Sequence, residues 1–169
     1  IFGRKIRYRT PENIVGEMKY LKEHFGVSHI ELVDDAMTVN QNQVMSLCQV
    51  IKESKLGLSW SCITRIDCIT PLLLKNMKEA GCVMINYGIE CGNNQTLKRI
   101  KKGYKSEKIR EVIQWTKNVD INCDVNFMTG FPWENQYEIK ITTKLIKEIR
   151  PFVNRISLGI LTPMPKTEL

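Results

Sequence analysis

The sequence predicts an α/β fold, a partial (β/α) TIM-like barrel with a parallel sheet, about five βα units and its first strand missing. Short apolar runs alternate with stretches of helical period, as in repeated βα units. The chain has 169 residues, whereas a closed eight-stranded barrel usually takes about 250. Because an arginine-rich start leads directly into a helix, we expect a further strand just upstream, without which the first strand has an unpaired edge.

Helix start and stop signals separate the apolar runs. Thr10 precedes a proline, and one apolar face then continues until Gly26 ends the first helix. Asn40 is expected to cap the second helix, and Thr70 the third, which ends at Gly81. These signals place three helices between predicted strands.

The predicted strands cover residues 29–33, 58–63, 82–87, 122–128 and 155–161. A longer connection over residues 93–103 precedes a helix that Ser106 is expected to cap, and the last helix covers 136–149 before Pro151 prevents its continuation. No linker interrupts this pattern, which predicts a single domain over residues 1–169.

Composition excludes disorder, because 43% hydrophobic and 25% charged residues are near globular averages. No apolar run reaches the roughly 18 residues that a membrane span needs. Ile1 begins neither an initiator sequence nor a secretory signal, so we expect a piece of a longer chain. The net charge of +7 suits a phosphate-bearing partner, but the interleaving of basic and apolar positions favours a solvated surface.

The six cysteines favour a reducing, cytoplasmic compartment over a disulfide framework. No two have the close spacing of metal ligands, so the chain alone encodes no zinc site. Cys48, Cys82 and Cys123 lie in apolar segments, where a reduced thiol behaves as a small hydrophobic group.

Polar residues and glycines follow the predicted strands at their carboxyl ends, where parallel α/β proteins carry their chemistry. Along the chain these are Asp34 and Asp35, Thr64 and Arg65, Gly88 and Glu90, Thr129 and Gly130, and Thr162. Such acids and an arginine suit a zwitterionic ligand with an ammonium, a carboxylate and hydroxyl groups. Each has a structural alternative: the aspartates cap a turn, Arg65 pairs with Asp67, and Glu90 is a solvated loop acid.

Seven strings in the chain carry a family resemblance. They are RKIRYRTPENIVGEM, IELVDDAMTVN, WSCITRID, MKEAGC, YGIECGN, MTGFPWEN and LTPMPKTEL. In this order and spacing the chain resembles, over essentially its whole length, the barrel of radical S-adenosylmethionine (radical SAM) enzymes. It is most similar to the branch with a cobalamin-binding domain ahead of the barrel, which includes magnesium-protoporphyrin cyclases, and more distantly to methylthiotransferases.

The resemblance implies S-adenosylmethionine and a [4Fe-4S] cluster as cofactors, with cobalamin bound through an upstream domain. It also implies an electron donor such as flavodoxin or ferredoxin and a small-molecule substrate that the residues do not identify. In the family a CxxxCxxC loop holds the cluster, and reductive cleavage of S-adenosylmethionine gives a 5'-deoxyadenosyl radical. This chain lacks that motif, whose place in the family pattern is just before Ile1. We therefore expect a fragment that is inactive alone.

The resemblance also assigns roles to the residues after the strands. Asp34 and Asp35 resemble the acidic motif that holds the methionine ammonium, and Arg65 resembles the residue that faces the carboxylate. Glu90 resembles the position near the ribose and the carboxylate, with Gly88 permitting close approach. The segments expected beside the adenine are Met128, Thr129 and Gly130, and similarly Leu161 and Thr162.

Three residues depart from the family pattern without removing a charge partner of the cofactor. Cys91 replaces a usual serine, Trp133 a frequent glycine, and Lys166 a usual glycine. Two other function classes stay open. The basic clusters within residues 4–9 and 98–110, with Tyr104 for stacking, suit a nucleic-acid-binding module or an RNA-modifying radical enzyme. A non-catalytic barrel scaffold is the alternative if no cysteine motif lies upstream.

Overall fold

The computed structural model describes residues 7–34 and 37–163, and its centre is a five-stranded sheet. The strands are β1 (His29–Leu32), β2 (Ser59–Thr64), β3 (Cys82–Glu90), β4 (Asn122–Thr129) and β5 (Arg155–Ile160). Each strand pairs in parallel with the next one along the chain, as successive βα units require. The predicted parallel sheet with alternating helices is confirmed.

Helices connect the strands on one side of the sheet. In the described residues they are α1 (Pro11–Phe25), α2 (Gln41–Ser54), α3 (Pro71–Glu79), α4 (Asn94–Arg99), α5 (Ser106–Asn118) and α6 (Gln136–Ile149). The predicted caps Thr10, Asn40 and Thr70 are confirmed, since each side chain accepts a hydrogen bond from the backbone N–H three residues on. Gly26 ends α1 in the left-handed conformation, with φ of 65°.

Two sequence predictions about the middle of the chain are wrong. Ser106 does not cap α5: Lys105 holds the cap position without a side-chain bond, and the Ser106 backbone N–H donates to Asn94 Oδ1 at 2.8 Å. The connection over residues 93–103 contains α4, which Asn93 caps by accepting from two backbone N–H groups. At six residues, α4 is too short for its periodicity to be visible.

The third strand is longer than predicted, because it continues through Gly88 to Glu90. Its pairing with β4 is irregular between these two residues, and Glu90 has φ of 73°. A non-glycine residue in this left-handed region is strained, and such strain concentrates at functional sites. The extension places the Glu90 side chain on the sheet rather than in a solvated loop.

The hydrophobic core lies between the sheet and the helices. Trp60 is fully buried, and its indole N–H donates to a backbone carbonyl at the end of α3 at 2.8 Å. The Tyr87 hydroxyl contacts that of Thr116 on α5 at 2.8 Å. Side chains alternate across a strand, so Asn86 points to the opposite face, where it accepts a hydrogen bond from Asn126 at 2.9 Å. That face is polar, unlike the branched apolar interior of most closed barrels.

Candidate functional site

A cavity of about 520 Å³ opens at the carboxyl ends of β2 to β5, and we call it the mouth cavity. Five residues that the sequence singled out line it together: Thr64, Arg65, Gly88, Glu90 and Met128. Asn126 and Ser157 on the polar sheet face line it as well. Acidic, cationic, apolar and amide groups therefore meet in one space large enough for part of a cofactor or substrate.

Glu90 is held in this cavity by an ion pair. The Lys102 ammonium donates to Glu90 Oε1 at 2.9 Å and to the Gly88 carbonyl at 3.0 Å. A Cβ added at Gly88 would lie 3.0 Å from Glu90 Oε1, closer than side chains normally approach. Gly88 therefore leaves room for the Glu90 carboxylate.

Arg65 forms the pair that the sequence analysis weighed as its structural alternative. Its Nε and Nη2 donate to the two oxygens of Asp67 at 2.9 and 2.7 Å, and Nη2 also donates to the Lys102 carbonyl at 2.5 Å. The hydrogen bonds to Asp67 raise the pKa of the guanidinium above its ordinary value, so Arg65 stays cationic. The two-point pairing fixes the orientation of the guanidinium at the edge of the mouth cavity.

The end of β4 is organised by an acid from the following turn. The Thr129 hydroxyl and the Gly130 backbone N–H both donate to Glu134 Oε2, each at 2.6 Å. Gly130 has φ of 88°, a conformation that favours glycine. Met128, which precedes this turn, lines both the mouth cavity and a neighbouring one. The strand end therefore presents an apolar side chain beside a turn that Glu134 holds in place.

A second space of about 480 Å³, the side cavity, shares Glu90, Lys102 and Met128 with the mouth cavity. Leu161 and an aromatic pair, Phe131 and Trp133, complete its apolar wall. The two aromatic rings are stacked, with centroids 5.5 Å apart and an angle of 19° between the planes. This wall offers a flat apolar surface next to the Glu90 carboxylate.

Two predicted site residues lie apart from this group. Asp34 lines a different cavity of about 420 Å³, between β1, α1 and α2. Thr162 is exposed, and its hydroxyl donates to the nearby Ile160 carbonyl at 3.4 Å. A third, Asp35, lies outside the described residues. Of the predicted residues that the structure describes, those that follow β2 or lie near the ends of β3 and β4 therefore meet in one cavity, whereas Asp34 and Thr162 do not join them.

The cysteines form no metal site. All six are free, and no three His, Cys, Asp or Glu side chains in the described part of the chain are grouped as metal ligands. Burial raises the thiol pKa of Cys48 to about 12, of Cys123 to about 12 and of Cys91 to about 11. These three thiols are therefore protonated at neutral pH. The described residues contain no grouped set of side chains that could hold an iron–sulfur cluster.

Part of the basic segment 98–110 is engaged in contacts within the chain. Tyr104 is half-buried, and its hydroxyl donates to the Gly88 and Ile89 carbonyls at 3.4 and 3.3 Å, so its ring is not presented for base stacking. Arg110 pairs with Glu148 on α6. Two of the groups that would contact nucleic acid therefore have partners within the chain. Among the described residues, no helix combines the length and apolar character of a membrane span.

Sequence reasoning missed two residues that position the site. Lys102 is one of several lysines in 98–110, and its contact with Glu90 depends on how α4 folds back over the strand end. Glu134 lies within the MTGFPWEN string, and an acid four residues after a strand-terminating glycine is a usable signal. Asn126 and Ser157 had no signal beyond being polar within apolar strands.

Comparisons with known proteins agree with this geometry. The Radical SAM superfamily model matches residues 1–146. An uncharacterized methyltransferase of Pyrococcus horikoshii is 29% identical over 168 residues, which are 99% of this chain and 36% of the relative. The anaerobic magnesium-protoporphyrin IX monomethyl ester cyclase of Rubrivivax gelatinosus is 25% identical over 170 residues, covering 99% of this chain and 30% of the relative. The chain thus spans about a third of these relatives' length.

A solved structure has the same fold. The radical S-adenosylmethionine methyltransferase TsrM of Kitasatospora setae, with cobalamin and a [4Fe-4S] cluster bound, aligns with a TM-score of 0.81 at 15% identity. The alignment covers 90% of this chain and 29% of that protein. The family model, matching residues 1–146, confirms the resemblance seen in the seven strings. The chain belongs to the radical SAM superfamily, whose cofactors are S-adenosylmethionine and a [4Fe-4S] cluster.

Proposed function

We propose that this chain is the barrel core of an enzyme that binds S-adenosylmethionine and cleaves it reductively to a 5'-deoxyadenosyl radical. One observation carries the proposal: Arg65, Gly88, Glu90 and Met128 line a single cavity at the carboxyl ends of the strands. The family membership supplies the cofactor, and this cavity supplies groups that complement its parts. The chain itself binds and orients S-adenosylmethionine before cleavage.

The residues fit the chemistry of S-adenosylmethionine. The Arg65 guanidinium suits the methionine carboxylate, and the Glu90 carboxylate suits the ribose hydroxyls. Gly88 allows the ligand to approach the backbone, and Met128 presents an apolar surface for the adenine next to the Thr129 and Gly130 backbone. We assign Asp34 and Asp35 to the methionine ammonium and Thr162 to the adenine side on the resemblance alone.

The [4Fe-4S] cluster does not fit the described residues, because they contain no group of three potential ligands. We propose that its cysteines belong to a CxxxCxxC segment outside this chain. When bound, the cluster supplies the electron for cleavage. The residues of this chain would then hold the sulfonium in place and exclude water. Without that segment we expect weak binding and no cleavage.

The remaining partners follow from the relatives. The TsrM structure holds cobalamin, and two relatives are named as a methyltransferase and a magnesium-protoporphyrin ester cyclase. We propose that the complete protein also uses cobalamin, receives electrons from a donor such as flavodoxin or ferredoxin, acts on a small molecule and works in the cytoplasm. A single domain over residues 1–169 is part of the same proposal.

The experiment has two parts. Equilibrium dialysis with labelled S-adenosylmethionine should show weak binding to the chain, and Glu90→Gln should lower the affinity about tenfold, the effect of one charge-assisted hydrogen bond. Glu107→Gln is the matched control, because Glu107 is an exposed acid in the first turn of α5. The affinity of the Glu107→Gln variant for S-adenosylmethionine should equal that of the unchanged chain.

The second part uses the complete polypeptide encoded by the gene, reconstituted anaerobically with iron, sulfide and a reductant. Formation of 5'-deoxyadenosine by the complete polypeptide, and not by residues 1–169, is the expected result. If the codons before Ile1 contain no cysteine triad and the complete polypeptide forms no 5'-deoxyadenosine, the catalytic proposal is wrong. A barrel scaffold would then be the better description.

A further inference from the structure

Arg99 and Trp133 form one wall of the side cavity, which we call the Arg99–Trp133 wall. The Arg99 guanidinium lies over the Trp133 ring, 5.2 Å from its centroid, and the Phe131 ring is stacked with the indole. The Trp133 indole N–H donates to the Thr96 hydroxyl at 3.2 Å, so the ring is fixed to α4. The wall is thus a rigid arrangement of one cation on two stacked aromatic rings.

The charge of this wall has no acidic partner among the residues that the structure describes. No carboxylate oxygen in residues 7–34 and 37–163 lies within salt-bridge distance of Arg99, which is exposed at the end of α4. Lys101 and Lys102 also line the side cavity, and Lys102 is paired with Glu90 at 2.9 Å. The side cavity therefore has an apolar aromatic surface with an uncompensated guanidinium at its rim.

S-adenosylmethionine does not complement that cation. It carries an ammonium, a sulfonium and a single carboxylate, so its net charge is positive, and its adenine is neutral. A guanidinium on an aromatic ring binds a carboxylate or a phosphate through several N–H donors.

We propose that the Arg99–Trp133 wall binds the anionic group of the substrate, a carboxylate or a phosphate attached to a flat apolar body. The flat part lies against the aromatic surface at Trp133, and the anion is bound by Arg99. This inference rests on the proposed function only in calling the ligand the substrate. It makes Arg99 and Trp133 specificity residues distinct from the group around Arg65 and Glu90.

The test uses the indole N–H signals of the ¹⁵N-labelled chain. Its three tryptophans are Trp60, Trp115 and Trp133, so three indole peaks are expected, and Trp133→Phe identifies the relevant one. Benzoate and phenyl phosphate are titrated separately, with benzyl alcohol as the neutral aromatic. We expect the Trp133 peak to shift with at least one anion. The anion that binds with the higher affinity identifies the anionic group as a carboxylate or a phosphate. Benzyl alcohol, followed by the same peak, should bind with an affinity about tenfold lower.

The controls separate a specific cation from general positive charge. Arg99→Gln should weaken anion binding about tenfold, whereas Lys98→Gln removes the same charge one residue away, outside the cavity, and should leave it unchanged. Arg99→Lys should restore part of the affinity, which excludes a folding defect. Equal binding of benzyl alcohol and both anions, or equal loss in both glutamine variants, would overturn the proposal. Anion binding without S-adenosylmethionine binding would count against the proposed function alone.

Discussion

Replacing Lys102 with methionine isolates the ion pair at the centre of the candidate site. The Lys102 ammonium bonds to Glu90 Oε1 at 2.9 Å and to the Gly88 carbonyl at 3.0 Å. Methionine keeps the length of the side chain and removes its charge and its donors. The Glu90 carboxylate would then lie in the cavity without its cation, while the Gly88 carbonyl keeps the Tyr104 hydroxyl as a donor at 3.4 Å.

The expected cost follows from the burial of the pair. Removing one partner of a fully buried pair costs about 3–5 kcal/mol, whereas exposed pairs contribute about 0–1 kcal/mol. The side chains of Lys102 and Glu90 are 15% and 22% exposed, so this pair lies nearer the buried limit but is partly screened by solvent. We expect Lys102→Met to lower the free energy of unfolding by about 2 kcal/mol.

Urea unfolding followed by circular dichroism measures this cost. The matched control is Lys19→Met, because Lys19 and Glu23 form a pair at 3.8 Å with side chains 61% and 56% exposed. Its loss should be at most about 0.5 kcal/mol. Adding Glu90→Gln to Lys102→Met should recover about 1 kcal/mol, because no unpaired carboxylate remains. Equal stability of the Lys102→Met and Lys19→Met variants would refute the reasoning.

Three further predictions concern stability. Asn135→Ala should lower the free energy of unfolding by about 1 kcal/mol, because Asn135 forms a capping box with Glu138. Ser106→Ala should lower it by less than about 0.5 kcal/mol, because Ser106 does not cap α5. Equal losses in urea unfolding would contradict these cap assignments. Trp60→Phe should lower the free energy of unfolding by about 2 kcal/mol, because it leaves a cavity and removes the indole N–H that donates to the Ala80 carbonyl at 2.8 Å. An unchanged melting temperature would contradict this. Burial raises three thiol pKa values above the ordinary 9.0, so the folded protein keeps protons that the unfolded chain loses. The stability that these thiols contribute is complete well below pH 9.0 and is lost as the pH rises from about 9 through the folded pKa values of about 11 to 12. By pH 10 the free energy of unfolding should have fallen by about 1 kcal/mol per thiol. A flat pH profile in urea unfolding would contradict the buried positions of Cys48, Cys91 and Cys123.

The order of elements was predictable because it depends on local signals. Thr10, Asn40 and Thr70 cap helices where their side chains predict it, and the apolar runs between them form the strands. Ser106 was misleading because its backbone N–H is bound by Asn94, a residue twelve positions earlier in another helix. Contacts of this kind, like the one between Lys102 and Glu90, depend on tertiary folding and leave no pattern along the chain.

The two interpretations of Arg65, as a structural ion pair or as a ligand-binding group, are compatible in the structure. Asp67 and the Lys102 carbonyl occupy the Nε and Nη2 donors, and in the described residues no atom accepts from Nη1. Glu90 has the same arrangement, since Lys102 binds Oε1 and no described group donates to Oε2. Each internal partner therefore orients the charged group and leaves one edge for a ligand. A zwitterion that binds at both edges would not have to break either pair, so we expect pre-organisation of Arg65 and Glu90, rather than exchange of ion pairs, to favour its binding.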